Sequence, residues 1–283
     1  EFWAVTQEEE HIVSFTVRRS AWKRVQELAS RIDCQIECKG SKGLPEFLAA
    51  AQGKQVQAIP GIEFSTDYQG TELHILGLFV APEYYDAVMD KVNWMLVQKE
   101  QSNRNLVEAL KPAGIVLDYD AIRAGTPNGQ VNRAVIAAEM VRLGYCDSVQ
   151  NCFKQWLSPK RGYYKPPMRL DVFEVIAFIK SIGAVAVLAH PFLNLEEEDL
   201  RRFLKEAVPF GLDAMEVYYP KFSSEQTESA CCIAQEYGLA FSGGSDFHGA
   251  NKPDTRMGTG RGELSVPDNL LEALENIKYF KKM

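Results

Sequence analysis

From Leu170 onward the chain alternates between two periodicities, and few folds accommodate that pattern. "LDVFEVIAFIKSIG" (170–183) places its apolar residues at helical spacing and ends on Gly183. "AVAVLAHP" (184–191) follows as an apolar run of strand length. "NLEEEDLRRFLKEAVPFG" (194–211) is expected to be a helix, with Asn194 as its N-cap and acids in the first turn, where they complement the helix dipole. "DAMEVYYP" then predicts a strand, "SSEQTESACCIAQEYG" a helix, "LAFSGG" a strand and "DNLLEALENI" a closing helix. Strands separated by helices at this rhythm imply parallel pairing with helical crossovers.

The preceding region differs. Between Ala81 and Pro166 the patterns are helical: "PEYYDAVMDKVNWMLVQKEQSNRNLVEAL", "NRAVIAAEMVRLG" and "SVQNCFKQW". This reads as a helical insertion in a βα scaffold, with "LSPKRGYYKPPMRL" as its exit linker. Before it, "QVQAIPGIEFSTDYQGTELHILGLFV" predicts strands with a turn at Tyr68-Gln69-Gly70. Further back, "IVSFTV" and "DCQIEC" read as strands, and "SAWKRVQELASR" and "LPEFLAAAQG" as helices. The expected division is residues 1–80 and 167–283 for the α/β core, and 81–166 for the insertion.

The net charge of −7 argues against a broad footprint on duplex nucleic acid, though not against a small phosphorylated substrate held through metal ions. No apolar run approaches a membrane span, and the opening "EFWAVTQEEEHIVS" lacks the layout of a secretory signal. The six cysteines show no disulfide framework and no CxxC pair, so reduced thiols in a cytoplasmic protein are expected.

Three of the four histidines, with two carboxylates, fall in a predicted strand pair or at the ends of predicted strands. His190 closes "AVAVLA", Asp246 and His248 follow "LAFS" within "GGSDFHG", and Glu63 and His74 lie in "GIEFSTD" and "ELHILGL". In a β/α barrel, residues at C-terminal strand ends converge on one mouth. A mixture of imidazole and carboxylate suits zinc, manganese or iron. Paired ions of that kind polarise a phosphoryl oxygen and activate water, so no nucleophilic Ser or Cys is needed. Consistently, neither a G-x-S-x-G elbow nor a P-loop pattern occurs.

"AIPGIEFSTDYQGTELHILGLFV", "VLAHP", "GGSDFHG" and "TGRGELSVP", in that order, resemble the PHP (polymerase and histidinol phosphatase) family. Among its members they are most similar to the stand-alone metal-dependent phosphoesterases with a helical insertion. The resemblance runs from Leu44 to the C-terminus. It implies a distorted seven-stranded β/α barrel in which Glu63, His74, His190, Asp246 and His248 bind two or three divalent ions. It also implies that the insertion caps the barrel mouth and that Arg133 matches a family arginine there. Lys160 and Arg161, with Lys165, Tyr163 and Tyr164 in the same linker, are further candidates for phosphate oxygens and a stacked base.

The first 43 residues depart from the family. Its first strand ends in His-x-His followed by Ser-Asp-Gly, and its second in Thr-Asp-His-Asp; here the second motif falls on Ile36-Glu37-Cys38-Lys39. Glu37 and Cys38 are chemically able to substitute as ligands, carboxylate and thiolate both binding zinc. Two readings of the boundary stay open: a variant that lost part of its cluster, or an N-terminal stretch from another reading frame or start.

The function expected on these grounds is metal-dependent hydrolysis of a phosphate ester in a small substrate, a nucleotide or an oligonucleotide end. His190, Asp246 and His248 are the catalytic candidates, with Asp246 or metal-activated water as base. The alternative is a barrel that binds or regulates without turnover; hydrolysis of a C–N bond is a third, weaker reading.

Overall fold

The structure, a computed structural model, describes residues 4–5, 14–17, 44, 48–49, 51–52, 56–126, 131–247 and 254–281. In chain order the described strands are β1 (Ala4–Val5), β2 (Ser14–Val17), β3 (Val56–Ile59), β4 (Gly61–Tyr68), β5 (Thr71–Leu78), β6 (Leu170–Asp171), β7 (Val185–Leu188), β8 (Ala214–Tyr218) and β9 (Ala240–Gly243). The helices are α1 (Tyr85–Leu110), α2 (Tyr119–Gly125), α3 (Arg133–Arg142), α4 (Val149–Cys152), α5 (Val172–Ser181), α6 (Glu197–Phe210), α7 (Ser224–Glu236) and α8 (Asn269–Lys281). The fold is mixed α/β with a mostly helical insertion, as the sequence predicts. It divides into two compact units, one spanning Asp90–Arg169 and the other the described residues on either side.

In the α/β unit, β1, β2 and β3 pair antiparallel, and the larger sheet runs β6-β4-β5-β7-β8-β9. β4 and β5 form the expected hairpin, joined by Gln69 (φ 52°) and Gly70 (φ 86°). Both turn residues have positive φ, as a two-residue I′ connection requires. The hairpin also explains why the sheet is not uniformly parallel: β5 meets β7 antiparallel, while β7-β8 and β8-β9 are parallel.

Side chains on β4 alternate. Ile62, Phe64, Thr66 and Tyr68 are buried against the core, whereas Glu63 and Ser65 point to the opposite face. Phe64 meets Phe178 of α5 edge-on at 6.3 Å, and Tyr68 meets Phe203 of α6 at 5.0 Å. Fully burying such a ring contributes about 1.5–3 kcal/mol. A second cluster joins Leu76, Leu78, Val185, Val187 and Ala214 to Leu270, Leu271 and Leu274 of α8.

Local sequence chemistry sets the helix starts. Asp171 caps α5 by accepting from the amides of Phe173 and Glu174, and Ser223 with Gln226 forms a capping box on α7. The cap expected at Asn194 is not formed. α6 starts from Glu196 because a short 3₁₀ turn, Pro191–Leu193, intervenes, and the Asn194 side chain instead donates from Nδ2 to the Glu72 carbonyl at 2.9 Å.

The helical unit has its own core, with Leu106, Leu110, Ile136, Met140 and Leu157 fully buried. The sequence reading missed α2, a seven-residue helix capped by Asp118. Residues Cys146, Cys152, Cys231 and Cys232 are free thiols. No helix among the described residues is long and apolar enough to cross a membrane.

Candidate metal centre

Three strands bring Glu63, His74 and His190 together. In the hairpin register Ser65 faces His74 and Glu63 faces Leu76, so Glu63 and His74 are diagonal neighbours on one face. Glu63 Oε1 lies 2.5 Å from His74 Nδ1 and 3.3 Å from His190 Nε2. One carboxylate oxygen thus touches two imidazoles, whose rings meet edge-on with centroids 5.0 Å apart. His74 Nε2 also lies 3.5 Å from Glu72 Oε1, and Glu72 accepts the Ser65 hydroxyl.

His190 reaches this position through a turn in the backbone. The Ala189 amide donates to the His74 carbonyl at 3.0 Å, which extends the β5–β7 pairing one residue past β7. His190 then adopts φ 29° and ψ 57°. A left-handed conformation at a residue with a Cβ costs about 1–3 kcal/mol and persists only where its surroundings hold it. Asp246, beyond β9, does the same with φ 51°.

The residues that hold these turns come from β8 and the position that follows it. Glu216, buried in the middle of that strand, accepts the His190 amide on Oε2 at 2.8 Å. Tyr219, just after β8, donates its hydroxyl to Asp246 Oδ2 at 2.7 Å, and its ring lies 5.2 Å from that of His190. Neither residue was singled out from the sequence. The available signal was a single acid, Glu216, inside the otherwise apolar strand "AMEVY".

Electrostatics follow from burial and pairing. Burial works to raise the Glu63 carboxyl, but hydrogen bonds and charge from His190 and His74 outweigh it and hold the group well below the usual carboxylate range. Burial likewise works to lower His74, and the acids Glu63 and Glu72 reverse this and push it up to about 10. Burial pushes Glu216 up to about 7 despite the charge of His190 and the hydrogen bond from its amide, and the charges of Asp246 and Glu63 add to the rise. Burial and then Asp246 raise Tyr219.

Ligand atoms of Glu63, His74 and His190 all lie within 4.8 Å of one another. Two imidazole nitrogens and a carboxylate oxygen form a donor set that fits zinc, manganese or iron, and three protein ligands leave coordination positions open for water or substrate. Asp246 stands beyond β9, two strands from β7 in the sheet, where it accepts the Tyr219 hydroxyl. His248, Glu37 and Cys38 lie outside the described residues.

Arg133, Lys160 and Arg161 all belong to the helical unit. The Arg133 guanidinium lies 4.0 Å from the Tyr164 ring centre and donates to the Leu157 carbonyl at 3.3 Å. Lys160 and Arg161 are exposed on a short 3₁₀ turn, where Arg161 Nε donates to the Lys154 carbonyl at 2.8 Å.

No family model matches the chain. It is 30% identical over 200 residues to the 5'-3' exoribonuclease Rnm of Escherichia coli, an alignment covering 69% of this chain and 67% of that protein. It is 25% identical over 214 residues to the 3',5'-nucleoside bisphosphate phosphatase of Chromobacterium violaceum, covering 75% and 74%. Among solved structures, a Bifidobacterium adolescentis protein described as a metal-dependent phosphoesterase superposes with a TM-score of 0.65 at 24% identity, covering 84% of this chain and 82% of that one. That likeness concerns the fold.

Proposed function

The chain belongs to the family of phosphate-ester hydrolases that includes the Escherichia coli exoribonuclease Rnm, and from that membership we propose that it is a PHP-type, metal-dependent phosphoesterase acting on a nucleotide or an oligonucleotide end. The observation that carries the proposal is the Glu63 carboxylate shared between His74 and His190, a compact set of nitrogen and oxygen donors. Glu63, His74 and His190 would hold the ion, joined by Asp246 and His248. A bound divalent ion would supply positive charge to polarise the phosphoryl oxygen and to lower the pKa of water.

The remaining roles belong to the chain's own groups. Asp246, oriented by the Tyr219 hydroxyl, accepts the proton of the attacking water. Lys160, Arg161 and Arg133 are the cationic candidates for phosphate oxygens, to which guanidinium and ammonium groups donate. The names of two relatives support the substrate class, since one is an exoribonuclease and the other a nucleoside bisphosphate phosphatase.

The test is turnover by manganese-loaded protein on two substrates, a nucleoside 3',5'-bisphosphate and a 5'-phosphorylated oligoribonucleotide. Release of phosphate or mononucleotide from at least one, abolished by His190→Ala, supports the reading. Absence of turnover on both by a protein that has taken up metal contradicts it.

A further inference from the structure

Strand β8 supplies none of the three residues of the compact donor set, yet it lies between the two strands whose ends carry His190 and Asp246. The sheet order β7-β8-β9 places it next to both, and both pairings are parallel, so the three C-terminal ends point the same way. One side chain in the middle of β8 and one just past its end contact the two flanking turns. Glu216 Oε2 accepts the backbone amide of His190 on the β7 side at 2.8 Å. The Tyr219 hydroxyl donates to Asp246 Oδ2 on the β9 side at 2.7 Å.

Both target residues sit in left-handed backbone conformations, His190 at φ 29° and Asp246 at φ 51°. Such conformations are uncommon for residues with a Cβ and revert unless something holds them. Glu216 and Tyr219 are themselves buried, at 7% and 4% exposure, so their polar atoms are committed to these partners rather than to water. The Tyr219 ring also packs against the His190 ring, 5.2 Å away, which joins the two sides.

We propose that Glu216 and Tyr219 are positioning residues: from one strand they hold the His190 turn and the Asp246 carboxylate in the orientation the metal-dependent site needs. Neither is assigned to bind metal or substrate. The inference rests on the reading of this site as a metal centre. It goes beyond that reading by giving a task to a strand that otherwise contributes only core.

Partners that orient metal ligands are worth about 10–100-fold in metal affinity or activity. The substitutions are Tyr219→Phe, which removes one hydroxyl, Glu216→Ala, which removes the acceptor, and Glu216→Gln, which keeps an oxygen able to accept the His190 amide. Manganese affinity of the metal-stripped full chain is measured by calorimetry and thermal unfolding by scanning calorimetry. Amide hydrogen exchange at His190 is followed by NMR in metal-free protein, a readout independent of turnover. Tyr219→Phe and Glu216→Ala are expected to weaken manganese binding about 10–100-fold and to lower kcat more than they raise KM. Glu216→Ala should also speed exchange at His190, and Glu216→Gln should recover most of each loss. Wild-type manganese affinity and kcat in both Tyr219→Phe and Glu216→Ala would overturn the proposal. So would losses in Glu216→Gln as large as those in Glu216→Ala, or losses that merely follow the fraction unfolded. A wild-type chain that binds no manganese would instead overturn the metal-centre reading, and this inference with it.

Discussion

Glu63 and His74 sit on a hairpin whose first strand alternates along its whole length, whereas His190 and Asp246 sit just beyond parallel strands, of which β7 is buried at every position. On the hairpin the side-chain period of two does the placing: turning Phe64 into the core turns Glu63 toward the site, with no special backbone conformation. On the parallel strands alternation is not available for this purpose, because both faces are covered. There the chemical groups come after the strand, in left-handed turns braced by Glu216 and Tyr219. The hairpin half therefore depends on ordinary packing, and the strand-end half on specific hydrogen bonds.

The largest expected effect comes from removing the group that links the halves. Glu63→Ala takes away the oxygen shared by His74 and His190, and phosphate release should fall by more than the roughly 100-fold that an orienting partner alone carries. A loss below about tenfold in steady-state assays would mean that the hairpin is not part of the working centre. The adjacent residue should behave in the opposite sense. Phe64→Ala empties a fully buried site on the other face of the same strand and should cost about 3–5 kcal/mol in denaturant unfolding. Its effect on metal affinity should be small as long as the chain is folded.

At the strand ends the expected cost is steric. A Cβ at Gly243 would lie 2.7 Å from Tyr218 Cβ and 2.9 Å from its carbonyl oxygen, so Gly243→Ala should destabilise by about 1–3 kcal/mol. Because the displaced backbone leads to Asp246, this variant should lose activity beyond what its stability change explains, which Phe64→Ala should not. The smallest effect belongs to the hairpin turn. Gln69 holds φ 52°, which Asn adopts more readily, and Gln69→Asn should raise stability by about 0.5 kcal/mol with unchanged turnover. A turnover change in that variant would show that the hairpin is not the independent, locally specified half described above.

The same contrast explains what could be read from the sequence. The hairpin was legible to its turn residues, because alternation and Tyr68-Gln69-Gly70 are local signals. Glu63 and His74 were legible as polar residues within the hairpin and His190 as one at a strand end, and they meet through one carboxylate. Glu216 and Tyr219 were not, because their role depends on which strands flank β8, and strand order is a long-range property. Asn194 was misread for a related reason: a plausible cap lost to a 3₁₀ turn and to a partner on β5, Glu72, that is distant in sequence. The short helix α2 offered too few residues for a periodic signal.

The most direct test of the central claim is a manganese titration of metal-stripped wild-type protein and Glu63→Ala by calorimetry. Saturable uptake of at least one ion per chain by the wild type, weakened more than about 100-fold in Glu63→Ala, is the predicted result. No uptake by folded wild-type protein, or equal affinity in the two, would contradict a metal centre built on the Glu63 carboxylate.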